Sequence, residues 1–187
     1  HNNHHTYPNS AKLSVKKWEF DLGWAWIKLF SFLRLARVAR VAPIAHRVEG
    51  KHSLDMDTAM AILNNRFQIM AQYRKLVIAP LVKQEVAKAD ESVRHLFRRA
   101  KRLLSRETSL LQDRHHVRID SMLAHSQALK VIYEKRLALQ QIWAKTSANG
   151  HDMLAAIKDW VHEAEASGIQ SLKEFAAQLK TYSLRPA

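Results

Sequence analysis

The chain reads as all-α, and three observations carry that reading. Glycine and proline are scarce, four of each in 187 residues, so few tight turns interrupt the backbone. Apolar residues recur every three to four positions through most of the sequence, the spacing that lines one face of a helix. No segment carries the apolar–polar alternation of a half-buried strand. The expected architecture is an amphipathic interfacial helix followed by long helices packed as antiparallel hairpins.

Composition bounds the chemistry. Cysteine is absent, which excludes disulfides and thiolate catalysis. Hydrophobic residues make up 47%, an ordinary share for a globular chain. The most apolar stretch, residues 22–33, is interrupted by Lys28 and is too short to span a bilayer. No secretory signal is legible. Thirty Lys and Arg stand against 17 Asp and Glu, a net charge of +13. Such a surplus attracts nucleic acid, anionic lipid headgroups or the phosphates of CoA, and the composition does not choose among them.

In chain order, residues 1–17 come first, with His1, His4 and His5 at i, i+3 and i+4. That spacing turns three imidazoles toward one place on a helical turn, and neutral imidazole is a common ligand of iron, zinc and copper. Pro8 should end the turn. A helix is expected over residues 18–41, with Trp18, Leu22, Trp26, Leu29 and Ala36 on its apolar side. Trp24 and Trp26 suit a headgroup-level anchor, and Arg34, Arg37 and Arg40 form a basic stripe facing a membrane surface or phosphates. Residues 44–53 read as a polar linker. Ser53 or Asp55 can cap the next helix, which runs through Ile62, Phe67, Tyr73 and Val77 until Pro80 kinks or divides it. A charged continuation to about residue 105 holds Arg94, Arg98, Arg99, Lys101 and Arg102, the most basic stretch in the chain. Asp113 should cap a single helix to about Lys145. A further helix is expected over residues 152–167 with Gly168 as its left-handed cap. Ser171 with Glu174 makes a capping box for the last one.

The run His1-Asn2-Asn3-His4-His5-Thr6-Tyr7-Pro8, followed by Trp18-Glu19-Phe20-Asp21-Leu22-Gly23-Trp24, resembles the last histidine box and following W-x-x-D segment of membrane-bound fatty-acid desaturases of the bacterial acyl-CoA Δ9 type. The likeness covers residues 1–43. It implies a C-terminal piece of a four-span enzyme on the cytoplasmic face of the bacterial inner membrane, with residues 54–187 as a helical extension. In that scheme His1, His4 and His5 ligate iron in a di-iron centre that other histidines complete. Asn2 would orient those ligands, and Trp18 and Asp21 would pack around them. The implied partners are an acyl-CoA or acyl-lipid substrate, O2, an electron donor (a ferredoxin, a cytochrome b5-like protein or a flavin reductase) and an anionic membrane surface. Nucleic acid is then unlikely as a partner, and self-association through the helices stays open.

Other histidines offer less. His115 and His116 are adjacent, so their rings point to different helix faces. Asp159 and His162 have a carboxylate–histidine helix spacing but lack the second such pair that a di-iron bundle needs. The alternative from another class is a basic helical module that binds nucleic acid or a partner, carried by the net charge and the cationic block of residues 94–106.

Overall fold

The computed structural model describes residue 11 and residues 21–38, 45–106, 110–145 and 150–184. It is all-α apart from one short strand pair, as the periodicity predicts. Among the described residues no helix is long and apolar enough to cross a membrane.

Helix α1 spans Leu22–Phe32, shorter than the expected 18–41. The Asp21 carboxylate caps it by accepting from the Trp24 N–H at 2.9 Å. At its other end the Arg34 N–H donates to the Ser31 carbonyl and the Leu35 N–H to the Phe30 carbonyl. That is a Schellman closure, with Arg34 in the left-handed position at φ 60°. No residue of α1 is buried, and Leu22, Trp26, Leu29, Phe30 and Phe32 are exposed.

The packed body begins with strand β1, Ala45–Arg47, inside the stretch expected to be a linker. It pairs antiparallel with β2, Tyr182–Leu184, in the register Ala45 with Leu184, His46 with Ser183 and Arg47 with Tyr182. Arg47 fastens the pair to the helices. Its guanidinium donates to Gln72 Oε1 at 2.9 Å and Gln178 Oε1 at 3.0 Å, and it lies over the Tyr182 ring.

Helix α2 spans Met56–Asn64, and of the two expected caps Asp55 is the one used. Its carboxylate accepts from the Thr58 N–H at 2.7 Å and the Thr58 hydroxyl at 2.8 Å. A break at Asn65 separates it from α3, Arg66–Tyr73. Pro80 then acts upstream of itself. Residues Arg74–Ile78 form a π-turn, and the Ala79 N–H reaches back to the Arg74 carbonyl, five residues away. Pro80 thereby falls in the first turn of α4, Ala79–Lys88, where a missing N–H costs nothing. The helix is widened rather than divided. Val77 and Ile78 from this turn are buried, and it packs on α3, α4, α6, α8 and α10.

The expected continuation to residue 105 is three pieces: α4, then α5, Glu91–Phe97, then α6, Ala100–Leu104. The single helix expected from Asp113 to Lys145 is two. Helix α7 spans Asp113–His125 and α8 spans Gln127–Lys145, with Ser126 between them accepting the Leu129 N–H at 3.2 Å. Helix α9 spans Gly150–Ala166, and α10 spans Gln170–Lys180. Gly168 closes α9 at φ 75°, as its position predicts. The Ser171–Glu174 box does not form; Ile169 holds the cap position of α10 and Glu174 pairs with Gln170.

The core gathers Ile62, Ile69, Tyr73, Leu104, Ile119, Ile132, Leu139, Ile157 and Phe175. Phe175 stands edge-on to Tyr73 at 5.0 Å and to Trp160 at 6.2 Å. The Tyr73 hydroxyl donates to the Ile132 carbonyl at 2.6 Å, and burial pushes its pKa far up, so it stays a neutral donor. Arg136 is 4% exposed and donates to the Arg106 carbonyl at 2.8 Å, placing a cation at the carbonyl end of α6.

Candidate nucleic-acid interface

The cations concentrate around the short helices α5 and α6. Ala100, Leu103 and Leu104 turn inward, which leaves Arg98, Arg99, Lys101 and Arg102 exposed on one ridge. Proximity in sequence makes the ridge basic; burial of the three apolar residues makes it face outward. The ridge packs between α4 and α7.

On the α4 side lies an open groove of about 590 Å³. Lys75 from the π-turn, Lys83 from α4, Arg98 and Lys101 line it over a floor of Ala79, Pro80, Val82, Val86 and Phe97. Four cations and no carboxylate line the groove, and its floor is apolar, so field lines concentrate there and favour a polyanion.

On the α7 side stands a second cationic group. Half-buried His115 lies within the electrostatic reach of Arg106, Arg114, Arg118 and His116. Partial desolvation first, and those positive neighbours next, hold its pKa below the ordinary imidazole value. Its Nδ1 accepts the Gln112 N–H at 3.0 Å and completes a capping box for α7. His115 is therefore a helix cap in its neutral form. The adjacency of His115 and His116 gave no hint of this, because glutamine and histidine are an unusual pair for such a box.

The residues singled out in the sequence fall elsewhere. His1, Asn2, His4, His5, Trp18 and Arg40 lie outside the described residues. Asp21 caps α1. Trp24 sits under Lys28, and Trp26 stacks on Phe30 at 5.9 Å. Arg34 and Arg37 are exposed, on a different element from the basic groove. Among the described residues no group of three or more His, Asp or Glu is placed to hold a metal ion. Asp159 and His162 form no such group. Asp152, Asp159 and Glu163 rim a separate cavity of about 460 Å³ between α8 and α9, with Glu163 paired to Lys135.

Residues 56–185 match a family of transposases, the ISL3-type DDE transposases. The chain belongs to that family. It is 28% identical over 123 residues to the transposase for insertion sequence element IS1001 of Bordetella parapertussis, a match that covers 65% of this chain and 30% of that protein. A shorter likeness, 46% identity over 43 residues, joins it to the sn-1 stearoyl-lipid 9-desaturase of a Synechocystis species, covering 23% of this chain and 14% of that enzyme. The sn-2 palmitoyl-lipid 9-desaturase of a Nostoc species matches to the same extent, over 15% of its length. No solved structure matches. This transposase chain thus spans about 30% of the length of its transposase relative.

These matches correct the functional expectation. The desaturase likeness rests on 43 residues, whereas the transposase family accounts for residues 56–185, so fatty-acyl desaturation, the oxidoreductase assignment and the di-iron centre are all withdrawn. With them go the acyl-CoA or acyl-lipid substrate, O2, the electron donor and the exclusion of nucleic acid. Three of the described carboxylates have structural partners: Asp55 caps α2, Asp57 accepts from Ser183 and the Leu184 N–H, and Glu165 pairs with Lys180.

Proposed function

We propose that the helical body of residues 45–184 forms a DNA-holding part of a transposase. The observation that carries this reading is the groove with Lys75, Lys83, Arg98 and Lys101 on its walls and no acid among them, in a chain whose family is transposase. The reading places the protein with the chromosome rather than against a lipid surface. The groove offers cations for phosphate oxygens and no array of amide side chains for base edges, so it serves affinity more than sequence choice.

The test is fluorescence anisotropy of a labelled 20-base-pair duplex of arbitrary sequence, titrated with the 187-residue chain at rising salt. Binding at low salt that weakens steeply as salt rises supports the reading. Absence of binding at the lowest salt would sink it.

A further inference from the structure

The cavity of about 460 Å³ between α8 and α9 runs against the charge of the molecule. Cations outnumber acids by 30 to 17 along the chain, yet Asp152, Asp159 and Glu163 line this cavity against Lys145. Its apolar lining is Ile142, Met153, Ala156 and Trp160, among others. The three acids fall at i, i+7 and i+11 on α9, a row about 16 Å long on one helix face. Glu163 pairs with Lys135, so the exposed Asp152 and Asp159 carry the available charge of the rim.

Helix α1 presents the complementary surface. Leu22, Trp26, Leu29 and Leu33 recur at i, i+4, i+7 and i+11, so they share one face, and all four are exposed. The helix has 11 residues, a length of about 16 Å. Residues 22–38 hold Lys28, Arg34 and Arg37 and no acid. An apolar stripe with cations around it thus matches an apolar cleft rimmed by acids, in length and in sign of charge. No residue of α1 is buried, and none is among the residues that line the cavity, so a chain does not fill its own groove.

We propose that α1 of one copy lies in the α8–α9 groove of a second copy, the two copies exchanging helices about a two-fold axis. Each copy has one such helix and one such groove, so reciprocal exchange covers both surfaces and stops at a dimer. Trp26 and Leu29 are the apolar anchors, and the acid rim meets the cations of residues 28–37. Helix α1 lies outside residues 56–185, so this contact does not follow from membership of the family, and it is independent of the DNA-holding reading.

The experiment is sedimentation velocity of the 187-residue chain at rising concentration. A monomer–dimer equilibrium that weakens with salt is expected. W26S/L29S, on the exposed face of α1, should raise the dissociation constant by more than about tenfold. A156R puts a bulky cation into the groove and should do the same. D152N/D159N removes rim charge without added bulk, and on the order of fivefold should be lost. Both of those residues are exposed, so this variant reads the groove even where A156R lowers the melting temperature. The deciding sample mixes W26S/L29S with A156R. The first keeps an intact groove and the second an intact helix, so one of the two contacts re-forms and mixed dimers should appear where neither variant pairs alone. A monomer at every concentration overturns the proposal. Loss in W26S/L29S with none in A156R or D152N/D159N also overturns it, since α1 then pairs with another surface. A mixture that stays monomeric does the same.

Discussion

At the scale of the residue, Asp55 does the work that its sequence position announces. Its carboxylate accepts two bonds from Thr58, and Lys51 lies 3.0 Å away. The Thr58 backbone bond lowers its pKa most, with help from the Thr58 hydroxyl and Lys51, to about 2 against the outward pull of desolvation. A carboxylate depressed in the folded state contributes stability that is complete above its unfolded value near 3.8 and is lost as pH falls through about 2. Asp55→Ala should therefore cost about 1 kcal/mol in urea unfolding at pH 7, and the difference from the unaltered chain should shrink on acidification toward pH 2. A difference that stays constant with pH would show that the cap acts through shape and not charge. Tyr73→Phe removes a buried donor from the Ile132 carbonyl, and about 1 kcal/mol should go with it. Of these roles only the cap was legible: Asp before an apolar-periodic run is a local signal, whereas the partner of Tyr73 is 59 residues away.

At the scale of the element, helix existence was read from period, and the breaks at Ser126 and between α5 and α6 were not. The 3.6-residue pattern runs across Ser126 and across the α5–α6 junction without a glycine or proline to mark either, because tertiary packing interrupts those helices. Strands β1 and β2 are three residues each, too short for alternation to show, and their pairing spans most of the chain. Pro80 was read correctly as an obstacle, but its remedy, a π-turn that puts Lys75 on the groove wall, depends on the packing around it. Helix α7 offers a prediction of its own. Neutral His115 closes its capping box, and its pKa lies below the imidazole norm, so the folded state binds that proton less readily than the unfolded one. The contribution is present above about pH 6.5 and is lost as pH falls below it. Amide exchange of residues 113–116 should quicken between pH 7.5 and pH 5, after correction for intrinsic rates, and His115→Gln should remove that change. Equal protection at both values would mean that the box is not held by the imidazole.

At the scale of the whole molecule, a motif and a fold gave different weight to different parts of the chain. The histidine box and W-x-x-D segment are specific, but they speak for 43 residues, and no residue of α1 is buried. The basic block of residues 94–106 was visible as a run. The groove beside it was not, since Lys75 and Lys83 are brought to Arg98 and Lys101 only by packing. The same packing bears on where the folded unit begins. The family match starts at residue 56, but β1 closes the sheet with β2, the Val48 N–H donates to the Thr181 carbonyl at 2.8 Å, and Lys51 reaches Asp55, Asp57 and the Tyr182 carbonyl. Residues 45–53 thus touch the helices that follow, and we propose that they form one unit with them. Two truncations separate the alternatives. A chain of residues 45–187 should unfold cooperatively at the temperature of the full chain and retain its DNA affinity. A chain of residues 54–187 should lose on the order of 2–4 kcal/mol, the sum of several net hydrogen bonds and the Arg47 clasp on Gln72 and Gln178. It also exposes β2 as an unpaired edge, so it should associate at concentrations where the longer piece stays dispersed. Equal thermal midpoints for the two pieces would show that β1 is an ornament on the helical body and that the unit starts with α2.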